Sequence, residues 1–404
     1  MAAVEFFNPC FVKGSVCRAS WRLSPKLRLK TSAAFHERKK LLNRGQFSLV
    51  KSFSGMSQES IEFPEAEITA TSYVDSNQTE QGAKAADVLE YFAKFVVSDL
   101  RRFIKEGVVT KERYSSDFSF SDPVTRIEGF DNFMMLMNSL RLLFKLDFDV
   151  HFAKVTGPAE ITTKWTMYLR QEQLPWKPKV VLTGKSIYHI DIDARKIRSQ
   201  VDEWDSASHN RFFSIEAAAD LYRQATRLAV TPALESPEYR VLKRTAGYEV
   251  REYSPFVVAE TEMDSGSGPA GGSGFAELAR FLFGGNSKRL SMDMTTPVIT
   301  SVAGGSRMQF VMGSQFASPE EVPAPESPSV ACKTADPGVV AAIEFPGWPL
   351  DSEVVDAERR LRSALQRDGL EPLPGYQLAR YNEPTTLPML RRNEVLIKVA
   401  SVQL

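Results

Sequence analysis

Histidine is scarce in this 404-residue chain, and its four copies, His36, His151, His189 and His209, all lie in the first 209 positions. The C-terminal half therefore has no imidazole to serve as a metal ligand or a general base. Cysteine is equally sparse: Cys10 and Cys17 sit in the N-terminal segment and Cys332 is the third, so loss of that segment would leave no pair for an internal disulfide. No run approaches the about 18–20 consecutive apolar residues that a membrane-spanning helix needs. Net charge is absent as well, because 50 basic residues balance 50 acidic ones. No overall field draws the chain to nucleic acid or to an anionic bilayer.

The balance conceals an asymmetry. Residues 1–55 hold eleven Lys and Arg against only Glu5 and Glu37, among many Ser and Ala. A basic, acid-poor, hydroxyl-rich segment without a compact apolar stretch reads as an organelle transit peptide, assigned to 1–56, and a plain basic tail shares that composition. Chloroplast and mitochondrial peptides overlap in these features. Residues 57–83 are polar and aperiodic and read as a linker. The length that remains, with 43% apolar and 25% charged residues, suits two domains.

The first domain is expected over 84–230. From Ala85 onward Val88, Leu89, Phe92, Phe95, Val96, Leu100 and Phe103 recur at helical spacing, and Gly107 closes the run. An irregular stretch, Tyr114–Ile127, leads to a second apolar helix at Gly129–Phe144. Period-two alternation then predicts strands, as in Leu146, Phe148, Val150, Phe152 and again in Ile161, Trp165, Met167, Leu169; residues 179–192 and 195–204 continue it. A further helix is expected over 212–230, before a Pro232–Pro237 connector. Helices followed by an antiparallel meander imply an α+β unit with the sheet curved around the helices. With FSFSDPVTRIEGFDNF at 118–133 between the helices, this region resembles the ketosteroid-isomerase-like cone fold, and is similar to an uncharacterised domain of plant and cyanobacterial proteins. That resemblance favours the chloroplast. It also makes Asp117 and Asp122 candidates for a general base, against ordinary turn chemistry for the Asp122-Pro123 pair. His151 shares a strand face with Asp147 and Asp149, opposite the apolar one, and His189 reads as solvated.

The second domain is expected over 236–402. Strands at Tyr239–Arg244, Tyr248–Tyr253 and Phe256–Met263 precede DSGSGPAGGSG at 264–274, a flexible loop with no Lys-Ser/Thr pair after it and so no phosphate-binding loop. A helix over Phe275–Phe283 places Phe275, Leu278, Ala279 and Leu282 on one face and stops at Gly284-Gly285. Strands Pro297–Val302 and Met308–Met312 follow, then a Pro- and Ser-rich loop at 314–337. The plan then repeats: strand Val339–Phe345, helix Asp351–Arg367, strands Tyr376–Tyr381 and Glu394–Val399. Two such halves predict a pseudo-symmetric sheet, a distorted β-barrel with two helices outside.

YEVREY at 248–253, FAELARFLFGGNSKRLSMDMTTPVIT at 275–300 and RRNEVLIKV at 391–399, in that order, resemble the SOUL haem-binding family over 238–400. Without its N-terminal targeting segment, the chain resembles the two-domain plant plastid type with a cone-like domain in front. The resemblance implies a non-catalytic tetrapyrrole binder of the chloroplast, with haem as a reversible ligand against the 275–283 helix, and Phe275, Leu278, Ala279 and Leu282 as wall residues. Arg280, Lys288 and Arg289 are candidate partners for the haem carboxylates by chemistry. Without a histidine in this half, only Met292, Met294, Cys332 or a tyrosine such as Tyr253 could reach the iron, and a ligand-free apolar site is expected. The implied partners are the tetrapyrrole itself and a tetrapyrrole-metabolism enzyme of the plastid, with peripheral docking on thylakoids or lipid bodies and no nucleic acid. An isomerase- or dehydratase-type cone domain regulated by the haem-binding one, or an interaction scaffold, are the alternatives.

Overall fold

A computed structural model of the chain describes residues 80–207, 214–227, 231–263, 272–301 and 306–400. The expected transit peptide, nearly all of the linker, Cys10, Cys17, His36, His209 and most of the 264–274 loop lie outside the described residues.

The first domain opens with α1 (Glu80–Glu106), followed by β1 (Tyr114–Ser121), β2 (Arg126–Glu128), α2 (Phe130–Leu143), β3 (Lys145–Gly157), β4 (Glu160–Arg170), β5 (Lys179–Asp191), β6 (Lys196–Trp204) and α3 (Ile215–Ala225). The apolar stripe of α1 packs inward, with Phe92 at 0% and Phe103 at 1% exposure. Helix α1 starts earlier than Ala85 because its first turn, over residues 82–84, is exposed and carries no apolar period to read. Gly107 ends the helix in the left-handed region, at φ 77°.

The stretch expected to be irregular is instead two strands. Strand β2 pairs with β1, and β1 pairs parallel with β6, giving the sheet order β2-β1-β6-β5-β4-β3. Phe118 and Phe120 of YSSDFSFS are buried and Tyr114 packs partly buried against the same core, but Ser and Asp on the positions between drown the alternation. The sheet wraps α1 and α2, whose Phe92, Val96 and Phe133 share one core with Phe118, Ile161 and Ile197. Close approach of β5 and β6 requires Gly184: a Cβ there would stand 2.2 Å from the Glu203 carbonyl.

The second domain holds β7 (Tyr239–Arg244), β8 (Glu249–Tyr253), β9 (Phe256–Glu262), α4 (Gly272–Leu282), β10 (Val298–Ser301), β11 (Arg307–Val311), β12 (Val330–Ala335), β13 (Gly338–Phe345), α5 (Asp351–Arg367), β14 (Gln377–Arg380) and β15 (Asn393–Lys398). The 314–337 segment is thus not loop throughout. Its end forms β12, which pairs with β9 and brings Cys332 opposite Ala259. Nine strands run in the order β12-β9-β11-β10-β14-β15-β13-β8-β7. The order is pseudo-symmetric: β9-β11-β10 with α4 meets β14-β15-β13 with α5 across the β10–β14 pair. Each half's leading strand also crosses over, β8 lying beside β13 and β12 beside β9.

Each helix covers its own core, α4 over Val257, Ala259, Met308 and Phe310 and α5 over Val250, Ala341, Leu378 and Val395. On the opposite face Tyr239 from one edge and Lys333 from the other line a single cavity of about 370 Å³, so the sheet is curled but open, with β12 and β7 as its edges.

Two of the motifs that carried the resemblance meet in this interior. Glu394, fully buried, accepts from Arg251 at 2.7 and 2.9 Å, from Arg392 at 2.6 and 3.0 Å and from the Tyr381 hydroxyl at 2.8 Å. Arg251 comes from YEVREY, and Arg392 and Glu394 from RRNEV. The two arginines hold the Glu394 carboxyl well below the ordinary glutamate range against the opposing effect of burial.

Strand β7 also joins the domains. Thr166 donates to the Val241 carbonyl at 2.6 Å, Val241 N–H donates to the Tyr168 hydroxyl at 3.2 Å and Arg244 N–H donates to Thr183 at 2.7 Å. These hydroxyls on the outer face of the first sheet satisfy the free edge of the second. His151 lies on that outer face, as its position predicts, but is buried by β7: Arg240 donates to Nδ1 and Thr166 lies 2.9 Å from Nε2. Burial first, then the charges of Arg240 and Lys164, push its pKa down to about 3, so it stays neutral.

Candidate functional site

Helix α4 is amphipathic in an unusual sense, because both of its sides carry apolar residues. Leu278 at 0% and Phe281 and Leu282 at 2% exposure pack on the sheet. The sheet fills the space beside Leu278 and Leu282, so a ligand on the outer surface cannot touch them; these two expected wall residues are core. Phe275 and Ala279 continue at four-residue spacing to Phe283, just past the helix end, and form an outer stripe. Phe275 is 39% and Phe283 60% exposed, and Ala279 between them is half-buried. Phe275 is propped edge-on against Phe310, with ring centroids 5.3 Å apart.

The segment after the helix is shaped by Asn286. Its side chain is fully buried, donates to the carbonyls of Phe281 (3.1 Å) and Leu290 (2.7 Å), and accepts from the N–H groups of Lys288 (3.2 Å) and Leu290 (3.0 Å). One amide thus satisfies four backbone groups and forces a tight loop in which Arg289 takes φ 48°. The loop presents Leu290, 45% exposed, beside exposed Lys288 and Arg289, and Arg280 is exposed on the helix. Among the described residues none of these three cations has a carboxylate within 4.0 Å. Phe283 and Leu290 are exposed apolar residues of this surface that the sequence did not single out. The four-residue period from Phe275 extends to Phe283, whereas Leu290 is displayed only through the Asn286 loop.

The candidates for iron are placed less favourably. Met292 is buried in the core under α4 and Met294 is half-buried beside it. Burial raises the Cys332 thiol and pushes the Tyr253 phenol up to about 12, which disfavours the anions that bind iron. The His189 side chain is 44% exposed, with Ser199 at 2.9 Å and Glu160 at 3.1 Å.

In the first domain Asp117 is exposed and hydrogen-bonded to Ser115. Asp122 makes the turn its neighbours predict, accepting from Val124 N–H at 2.8 Å and Thr125 N–H at 2.5 Å. Burial raises the pKa of Asp122, and a second carboxyl lies near it. Asp202 on β6 lines, together with Asp99 and Asp122, a cavity of about 100 Å³ between the sheet and the helices, whose apolar wall includes Phe120, Phe133, Trp165, Tyr188 and Trp204. Burial raises its pKa to about 7, despite hydrogen bonds from Ser186 and Gln200, and Asp122 adds to the rise. Its position in a strand of mixed polarity gave no sign of this.

Residues 234–398 match the sequence model of the SOUL heme-binding proteins, and residues 90–199 that of an uncharacterised conserved protein family, DUF2358. The second domain is a SOUL domain. Solved structures similar to this chain include a hydrolase from Listeria innocua, at 12% identity over 38% of this chain and 92% of that one, with a TM-score of 0.29. An LEH-like epoxide hydrolase from M. tuberculosis matches at 15% identity over 30% and 83%, TM-score 0.22. An NTF2-like protein of unknown function from Exiguobacterium matches at 12% identity over 31% and 98%, TM-score 0.21. No curated protein sequence matches the chain. The SOUL motifs occupy distinct places in the structure: YEVREY and RRNEV build the buried ion cluster, whereas the 275–300 stretch builds the outer surface of α4 and its loop. No helix among the described residues is long and apolar enough to cross a membrane.

Proposed function

We propose that this chain binds haem, or a related tetrapyrrole, reversibly on the outer side of α4, for carriage, buffering or delivery in the chloroplast after loss of a transit peptide over 1–56. The outer stripe Phe275–Ala279–Phe283, continued by Leu290 and edged by Arg280, Lys288 and Arg289, carries this reading. An apolar plate with two carboxylates needs that pairing of apolar surface and cations at its rim. The antiparallel register Val298↔Arg380 sends the segments 283–297 and 382–392 out from the same end of the sheet. Leu387 and Met389, 61% and 77% exposed on the second segment, supply further apolar surface there. The partner implied by a delivery role is a tetrapyrrole-metabolism enzyme of the plastid.

Because this surface holds by its apolar side and cationic rim, hemin and metal-free protoporphyrin IX should bind with dissociation constants within about threefold of each other. Absorbance titration of the hemin Soret band and fluorescence titration of the porphyrin measure both. A porphyrin affinity tenfold or more below that of hemin would mean that an iron ligand is essential.

A second reading is an acid–base function inside the first domain, of the isomerase or dehydratase type, and Asp202 in its apolar cavity favours it over Asp117 and Asp122. Asp202→Asn should leave the hemin titration unchanged. It should also raise the melting temperature at pH 8. The folded carboxyl, with its raised pKa, is ionised there at a cost that the unfolded chain does not bear, and the neutral amide removes that cost. A lower melting temperature for the variant at pH 8 would show that the carboxylate is structurally required.

A further inference from the structure

Between the two domains a cleft of about 420 Å³ is walled on one side by residues 175–181 with Gln224 and Arg227, and on the other by residues of β7, β8, β13 and Arg392. Its lining holds six cations, Lys177, Lys179, Arg227, Arg244, Arg251 and Arg392, against two carboxylates, Glu249 and Glu344. Four of the cations are answered. Asp220 pairs with Arg244 at 2.6 Å, Glu394 with Arg251 at 2.7 Å and Arg392 at 2.6 Å, and Glu344 with Arg227. Two are not. Lys177 and Lys179 have no carboxylate within 4.0 Å among the described residues.

The wall that carries these lysines is built rather than loose. The Trp176 indole N–H donates to the Ala225 carbonyl at 2.8 Å, and Lys177 N–H closes the turn onto Leu174 at 2.9 Å. Lys177 is held in the left-handed region at φ 38°, a conformation that a side chain of its kind rarely adopts. The Lys179 ammonium lies 5.0 Å from the Tyr168 ring centroid. Partial exclusion of water pushes it below the ordinary lysine value; the charge of Glu249 opposes this, and those of Arg170, Arg392 and Arg251 add to it. Thr231 accepts from Arg392 at 3.1 Å and keeps its own hydroxyl proton for a further acceptor.

We infer that this interdomain cleft is a binding site for a small, multiply charged oxyanion, a phosphate ester or a polycarboxylate, held by Lys177 and Lys179 with the arginine cluster behind them. The site is separate from the outer surface of α4 and needs both domains, since the lysines belong to one and Arg251 and Arg392 to the other. An anion there would offset the two lysine charges, neither of which has a carboxylate within 4.0 Å among the described residues, and tie the domains together.

The test uses the full chain at constant ionic strength, titrated calorimetrically with inorganic pyrophosphate and separately with citrate. Saturable binding of either in the micromolar range is expected, with a rise in melting temperature that chloride does not reproduce. The one that binds more tightly identifies the phosphate or the carboxylate class. Both lysines are exposed, so the K177Q/K179Q variant keeps the core intact and should bind at least tenfold more weakly with an unchanged hemin titration. K288Q/R289Q should leave anion binding unchanged. Absence of saturation by both anions at millimolar concentration would overturn the proposal, as would full affinity in K177Q/K179Q.

Discussion

Replacing Phe275 and Phe283 together by aspartate should weaken hemin binding by about 30- to 1000-fold while leaving the melting temperature within a few degrees of the parent. Both rings are partly open to solvent, so covering them with a ligand recovers only part of the about 1.5–3 kcal/mol that full burial of a phenylalanine provides. About 2–4 kcal/mol for the pair corresponds to that range of affinity. The new carboxylates would also repel the ligand's own. Soret titration gives the affinity, and thermal unfolding separates loss of the site from loss of the fold. An unchanged affinity would move the ligand away from α4 and remove the basis of the proposed function. The loop supplies an internal comparison. Arg280, Lys288 and Arg289 are solvated, so their replacement by glutamine should cost less, and the cost should shrink as salt is raised.

The second large effect concerns the interior of the SOUL domain. Glu394→Gln should destabilise that domain by about 3–5 kcal/mol, because Arg251 and Arg392 would lose the fully buried carboxylate they share, keeping only Glu249 at 2.8 Å from Arg251 and Glu344 at 3.5 Å from Arg392. A triple replacement of Arg251, Arg392 and Glu394 by methionine or leucine should recover most of the loss, since it removes the charges as well as the bonds. The pH dependence follows from the lowered pKa. The unfolded glutamate titrates near 4.5 and the folded one well below, so the contribution is complete above pH 4.5 and is lost as pH falls toward the folded value. Acid unfolding of the parent should therefore steepen below pH 4.5, and Glu394→Gln should flatten it. Circular dichroism melts between pH 3 and 7 measure both. A loss under about 1 kcal/mol in Glu394→Gln would mean that the cluster is neutralised by another group.

The recognisable motifs and the proposed ligand surface are largely different residues. Arg251 stands far in the chain from Arg392 and Glu394, and their pairing explains why those short stretches have the composition they do. It says nothing directly about haem. The ligand surface rests instead on Phe275, Phe283, Leu290 and three cations, all exposed, and on the fully buried Asn286 that organises the loop.

Periodicity alone determined most elements of this chain. The α1 stripe from Val88 to Phe103, the alternation in β3 to β5 and the repeated strand–helix–strand–strand plan of the second half are local patterns, and each is set by neighbours three, four or two residues away. Strands β1 and β12 escaped because one face of each is polar and their partners, β6 and β9, are distant in sequence. For the same reason the sequence placed Phe275, Leu278, Ala279 and Leu282 on one helix yet could not say which of them meet the sheet. A helix shows its period but not the direction from which the core approaches. His151, Asp202 and Lys179 owe their altered acidity to burial and to charges brought near by folding. Only the tertiary structure, by setting the local exclusion of water and the distances between groups remote in the chain, decided those properties.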